Sequence, residues 1–200
     1  MKKSLLLAFV VSLFAVNAQA ADLTPYVSAK AKFAAIRPEA KQTAPNPDSA
    51  NLNDSVFGYN LAAGAGMKME EGTLRLELEY AQNGDAEKTV LGQKFKFKSH
   101  AVFVNAYFDF NTNSAFRPYV GIGLGGSKVK FANNKNEDDF AYNYSLGVSY
   151  LINDNAALDL GYRFASYANY DEEITGPGVY RKIEYKAYAN ELMLGVRFSF

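Results

Sequence analysis

Leu192-Met193-Leu194-Gly195-Val196-Arg197-Phe198-Ser199-Phe200, with Tyr188-Ala189-Asn190-Glu191 ahead of it, is the stretch that decides the fold. Leu192, Leu194, Val196, Phe198 and Phe200 share one parity, and Glu191, Gly195, Arg197 and Ser199 share the other, with Met193 as the one apolar exception. Successive side chains of a strand point to opposite faces, so this is a strand with an oily face and a polar face. In a water-soluble protein the oily face would need a core to cover it. Here it is expected to meet lipid, as the closing strand of a membrane barrel.

Working back from that strand, the same alternation recurs seven times. Val27, Ala29, Ala31, Phe33 and Ala35 oppose Ser28, Lys30 and Lys32, and Phe57 to Met69 alternate with Asn60, Gly64, Gly66 and Lys68. The sharpest case is Thr73–Gln82, where Leu74, Leu76, Leu78 and Tyr80 oppose Arg75, Glu77 and Glu79. Val102–Phe110, Val120–Leu124, Phe140–Tyr150 and Leu158–Phe164 complete the set. The segments between them, 37–54, 83–94, 132–139 and 168–182, are polar and read as long loops, while 70–72, 111–115 and 153–155 read as tight turns. Long and short connections alternate, as they do in outer-membrane barrels with long external loops and short periplasmic turns. Eight is even, so both ends of the barrel chain lie beside the short turns. Open edges cannot sit in hydrocarbon, so the first and last strands are expected to pair. The fold class expected is therefore all-β, an eight-stranded antiparallel up-and-down transmembrane barrel.

The soluble alternative is a lipocalin-like barrel with the oily parity turned inward. It would have to enclose Leu, Phe and Tyr from all eight strands, more than an eight-stranded barrel holds.

Met1-Lys2-Lys3, the apolar run Leu5–Val16 and the small-x-small triplet Ala18-Gln19-Ala20 read as a signal peptide, with residues 1–20 removed and 21–200 forming the barrel domain. The apolar run is too short for a spanning helix, which needs about 20 residues. Cleavage removes Lys2 and Lys3 from the 21 basic residues, leaving 19 against 21 acidic and a net charge of −2. No basic excess points to nucleic acid. With no cysteine, an exported chain has no disulfide framework and depends on backbone pairing and packing. The 15 phenylalanines and 14 tyrosines suit a lipid face with interfacial girdles.

Charged residues on the inward parity form the candidate site: Arg75, Glu77, Glu79, Asp109, Asp159, Arg163, Glu191 and Arg197. Counted up from the turn end, Asp159 and Arg197 fall at one height, Arg163 and Glu191 one layer above, and Arg75 and Asp109 form a low pair. Glu77 and Glu79 are expected to reach Lys30 or Lys32. Unpaired charges there would be costly, so pairing is expected. A polar plug is favoured over a narrow ion path because eight strands leave room only for side chains. No catalytic, cofactor or metal site is expected. His100 is the only histidine, Ser99 points to the opposite face from it, and no ligand set recurs at metal spacing. Gly121, Gly123, Gly125 and Gly126 alternate within a strand with no helix after them, so they are not a phosphate loop but relief from crowding beside Tyr107 or Tyr119.

Val104-Asn105-Ala106-Tyr107-Phe108-Asp109-Phe110, Pro118-Tyr119-Val120-Gly121-Ile122-Gly123-Leu124-Gly125 and the ending Leu194–Phe200 resemble the opacity-protein and OmpA/OmpX-like barrels of Gram-negative outer membranes. The resemblance implies a surface-exposed outer-membrane barrel with a structural or adhesive role. A narrow pore or a lipid-modifying enzyme is the alternative. The implied partners are outer-membrane lipids and lipopolysaccharide, a host or neighbouring cell at the loops, and the assembly machinery, which would read Phe198 and Phe200 as a signal. A monomer is expected.

Overall fold

The computed structural model describes residues 23–42, 48–51, 54–84, 86–90, 93–130, 136–176 and 179–200. The expected signal peptide and its cleavage site lie outside these residues, as do positions 131–135. The strands are β1 (Leu23–Gln42), β2 (Asp48–Asn51), β3 (Asp54–Lys68), β4 (Gly72–Asn83), β5 (Ala86–Val90), β6 (Gln93–Phe110), β7 (Phe116–Lys130), β8 (Asn136–Leu151), β9 (Ala156–Gly176) and β10 (Val179–Ser199). All pairings are antiparallel, in the order β10-β9-β8-β7-β6-β4-β3-β1, and β1 pairs β10 to close the ring from Tyr26↔Ser199 to Gln42↔Ile183. The short β2 and β5 pair with β1 and β6 beyond the barrel. The result is a closed eight-stranded up-and-down barrel whose backbone groups find partners within the sheet, the condition hydrocarbon imposes.

The alternation sets the two faces. Leu192, Leu194, Phe198, Val120, Ile122 and Leu124 are exposed on the outside, while Glu191, Met193, Arg197 and Tyr119 beside them are buried within. Met193, the exception in the closing strand, is inside, where its sulfur accepts Asn60 Nδ2–H at 3.5 Å. At the turn end, backbone hydrogen bonds join neighbouring connections. Asn111 N donates to Glu71 O at 2.8 Å, Leu151 N to Ala115 O at 2.9 Å, Ser199 N to Asn155 O at 2.8 Å and Phe200 N to Pro25 O at 3.0 Å.

The four polar segments expected as loops are largely strand. β1 continues past Ile36 to Gln42 and meets β2 inside 37–54. β5 and the start of β6 occupy 83–94, β8 begins at Asn136, and β9 and β10 stay paired through 168–182 as far as Gly176↔Val179. Past the lipid layer both faces of a ribbon are wet, so the period-2 hydrophobic signal vanishes while backbone pairing continues. The barrel therefore rises into hairpins rather than into irregular loops.

The register of β9 and β10 shifts between Ala187 and Tyr188, leaving Tyr167 as the extra residue of a β-bulge. Bulges re-aim side chains. Here the buried Tyr167 turns inward and donates its hydroxyl to Glu191.

Candidate functional site

The inward faces stack in layers. In the lowest, Arg75 of β4 meets Asp109 of β6 at 2.8 Å. Arg197 of β10 reaches the same carboxylate at 3.3 Å and Asp159 of β9 at 3.4 Å, and donates to Ser149 of β8 at 3.1 Å. Ser149 in turn donates to Asp159. The Arg75 guanidinium lies over the rings of Tyr107, Tyr119 and Tyr26 at 4.7, 5.4 and 5.8 Å, a cation–π setting that offsets part of the cost of burying it.

One layer up, Glu77 accepts from Tyr26 at 3.0 Å, from Asn105 at 3.3 Å and from Lys30 at 3.5 Å. Asn143 donates to Asn105 at 3.0 Å, carrying the polar contacts from β6 to β8. Above this, Arg163 of β9 forks between two carboxylates. Its Nε donates to Glu191 at 2.7 Å, and its Nη1 binds Glu79 across the lumen. Lys32 completes the layer, 3.3 Å from Glu191 and 3.4 Å from the Tyr167 hydroxyl, while Lys30 lies 3.9 Å from Glu79.

Buried side chains of the described residues thus include five cations (Lys30, Lys32, Arg75, Arg163, Arg197) and five carboxylates (Glu77, Glu79, Asp109, Asp159, Glu191), a balanced set. Each ion is within 4 Å of at least one counter-ion, which is what makes its burial tolerable. Every charged residue picked out from the sequence lies in this stack, with Arg163 and Glu191 at 0 % exposure. Phe198 and Phe200 lie elsewhere, exposed on the outer wall at the turn end.

Tyr26, Tyr107, Tyr119 and Tyr167 fill the gaps between the ions. Tyr107 and Tyr119 lie inside beside the glycines, as their parity indicates, whereas Tyr26, Tyr167 and the upper lumen escaped the sequence reading. Above the Arg163 layer the lumen turns apolar: Ala34, Ala81, Ala101, Ala141, Ala165 and Ala189 come together with Ile36, Val56, Phe103 and Tyr167. The Phe103 ring stands edge-on to Tyr167 at 6.1 Å and presents its face to the Arg163 guanidinium at 5.5 Å. At the opposite, turn end a cavity of about 450 Å³ opens below the lowest ions, lined by residues that include Tyr26, Arg75, Asp109, Arg117 and Arg197.

Glycines make room for the large rings. A Cβ on Gly121 would collide with the Tyr107 ring, and one on Gly161 with the Tyr119 hydroxyl. His100 is half-buried at the hairpin end, its ring 6.3 Å from that of Tyr80. Among the described residues no group of three or more His, Cys, Asp or Glu side chains could hold a metal ion.

A closed antiparallel barrel with an oily wall and a charged, paired interior is an outer-membrane type of architecture. The family model of the outer membrane protein beta-barrel domain matches residues 6–200, and the chain belongs to that family. It is an outer membrane protein. It is 29% identical over 117 residues to outer membrane protein PagN of Salmonella typhimurium, covering 48% of each chain. It is also 29% identical over 132 residues to RC1281 of Rickettsia conorii, whose name includes the word adhesin, covering 54% of this chain and 52% of that one. The chain thus spans about half the length of these curated relatives. Among solved structures, Neisserial surface protein A (NspA) matches with a TM-score of 0.57 at 22% identity, over 88% of this chain and 97% of that one, a likeness of fold.

Proposed function

We propose that this protein is a rigid outer-membrane scaffold that presents its hairpins at the cell surface, in a structural or adhesive role, and that its lumen is plugged. The observation that carries this reading is the stack of self-neutralised ion layers beneath an apolar cap. Charges that satisfy one another leave little free field to attract a permeating ion, and the cluster above them is lined mainly by alanine and other apolar side chains. Function is then left to the ribbons that the ladders carry beyond the membrane, since binding residues are commonly mounted on loops held by a rigid frame. The name of RC1281 supports the adhesive side of the reading.

The hairpins would meet lipopolysaccharide and the surfaces of other cells. Phe198 and Phe200 would serve the assembly machinery, and no enzymatic role is assigned. Shortening each of the four ribbons in turn, for example by replacing residues 169–186 with an Asn-Gly turn, should leave a folded barrel but lower adhesion of cells that display it. Unchanged adhesion after all four replacements would defeat the adhesive role.

A further inference from the structure

The cavity at the turn end carries more positive charge than the barrel needs for its own pairing. Its volume of about 450 Å³ falls within the range of about 300–1,000 Å³ that small-molecule sites occupy. Four cations line it, Lys68, Arg75, Arg117 and Arg197, against two carboxylates, Asp109 and Asp154. Asp109 is shared by Arg75 at 2.8 Å and Arg197 at 3.3 Å, and Arg197 also holds Asp159 at 3.4 Å. Even with Asp159 counted, four cations face three carboxylates.

The floor has donors to spare. Arg75 Nε and Nη1 and Arg197 Nε are buried and have no hydrogen-bond acceptor, although Arg75 lies over three tyrosine rings. Buried donors of this kind nearly always have an acceptor. Nearer the mouth, Lys68 ends the inward row of Asn60, Gly64 and Gly66 on β3, and Arg117 begins the inward row of Tyr119 on β7. Among the described residues neither is paired with a carboxylate, and Arg117 Nη1 donates to the side-chain oxygen of Asn111. Glu70 and Glu71 of the nearby turn are exposed and do not line the cavity. Thr24, Thr73 and Ser199 also line it, with hydroxyls that can both donate and accept.

We propose that this vestibule is a binding site for a small hydroxylated anion, a sugar acid or a sugar phosphate. The anionic group would supply the counter-charge that the cations lack, through charge-assisted hydrogen bonds from lysine and arginine. A concave site lined by one sign of charge also concentrates ions of the other sign. An organic anion is favoured over a lone inorganic one because the cavity holds far more than the charged group, and its threonine and serine hydroxyls match those of a sugar. On the reading that the turns face the periplasm, such a ligand arrives from that side.

The test is calorimetric titration of the folded barrel in detergent with glucuronate, glucose 6-phosphate, glucose, acetate and inorganic phosphate. Glucuronate or glucose 6-phosphate should saturate one site, well ahead of glucose, acetate and inorganic phosphate. Lys68→Gln with Arg117→Gln should weaken that binding by about tenfold, and Asp154→Asn should strengthen it by about twofold. Arg37→Gln at the hairpin end should be silent. Should the double variant not fold, Lys68→Gln alone serves, with an expected loss of about threefold. No saturation by either sugar anion up to about 10 mM would overturn the proposal. So would equal affinity in wild type and the glutamine variants, or acetate or inorganic phosphate binding as tightly as the sugar anions. Binding in detergent involves neither conduction nor orientation, so its failure removes this site and leaves the plugged scaffold standing.

Discussion

Arg197 of the closing strand reaches across the lumen to Asp109, 88 residues earlier in the chain, at 3.3 Å. The same guanidinium holds Asp159 at 3.4 Å. A single side chain therefore links the last strand to β6 and β9 at the level where the barrel closes. Arg197→Ala leaves both carboxylates short of charge in a buried site, and should cost about 3–5 kcal/mol of stability. Urea unfolding in lipid vesicles, followed by loss of the compact form on unheated gels, measures this. A cost below about 1 kcal/mol would mean that water already screens the pair.

Arg163 is shared between Glu79 and Glu191, so its contributions should not add. Removing Glu79 and Glu191 together should cost less than the sum of the two single removals, because the second loss no longer strips a satisfied guanidinium. A double-mutant cycle with Glu79→Gln and Glu191→Gln is expected to give a coupling of about 0.5–3 kcal/mol. A coupling of zero would mean that the two carboxylates act independently.

Gly161→Ala places a methyl against the Tyr119 hydroxyl and should destabilise the barrel by about 1–3 kcal/mol, the usual range for overpacking. Because the obstacle is the hydroxyl, Tyr119→Phe should recover most of that loss. If the second substitution recovers nothing, the strain lies in the backbone of β9 instead.

Phe200 is mostly exposed, and its resolved polar contact is one backbone hydrogen bond to Pro25. Deleting it should lower unfolding stability by less than about 1.5 kcal/mol, the worth of such a bond, while sharply reducing the amount assembled in cells. Pulse-chase measurement of folded protein in the outer membrane, set beside refolding in vitro, separates these effects. Normal surface levels of the truncated chain would remove the assembly role from Phe198 and Phe200.

The barrel wall was legible because lipid on one side and a charged lumen on the other impose strict alternation, clearest where Leu74, Leu76 and Leu78 oppose Arg75, Glu77 and Glu79. The ion layers were legible for the same reason, since heights counted from the turns bring Arg163 level with Glu191. Other features left no such trace. Alanine is at home on either face, so Ala34, Ala81, Ala101, Ala141, Ala165 and Ala189 do not advertise a cap. A bulge at Tyr167 depends on the partner strand, and local sequence does not display it. The strand extensions through 37–42, 168–176 and 179–187 carry polar residues on both parities, so the alternation that would reveal them is lost.

Single-channel recording of the purified barrel in planar bilayers tests whether the ion layers and the apolar cluster close the lumen. A closed lumen gives a quiet baseline, with no reproducible step at moderate voltage across many insertions. A steady conductance of constant size would contradict it, and would make the Arg163 layer the lining of a pore.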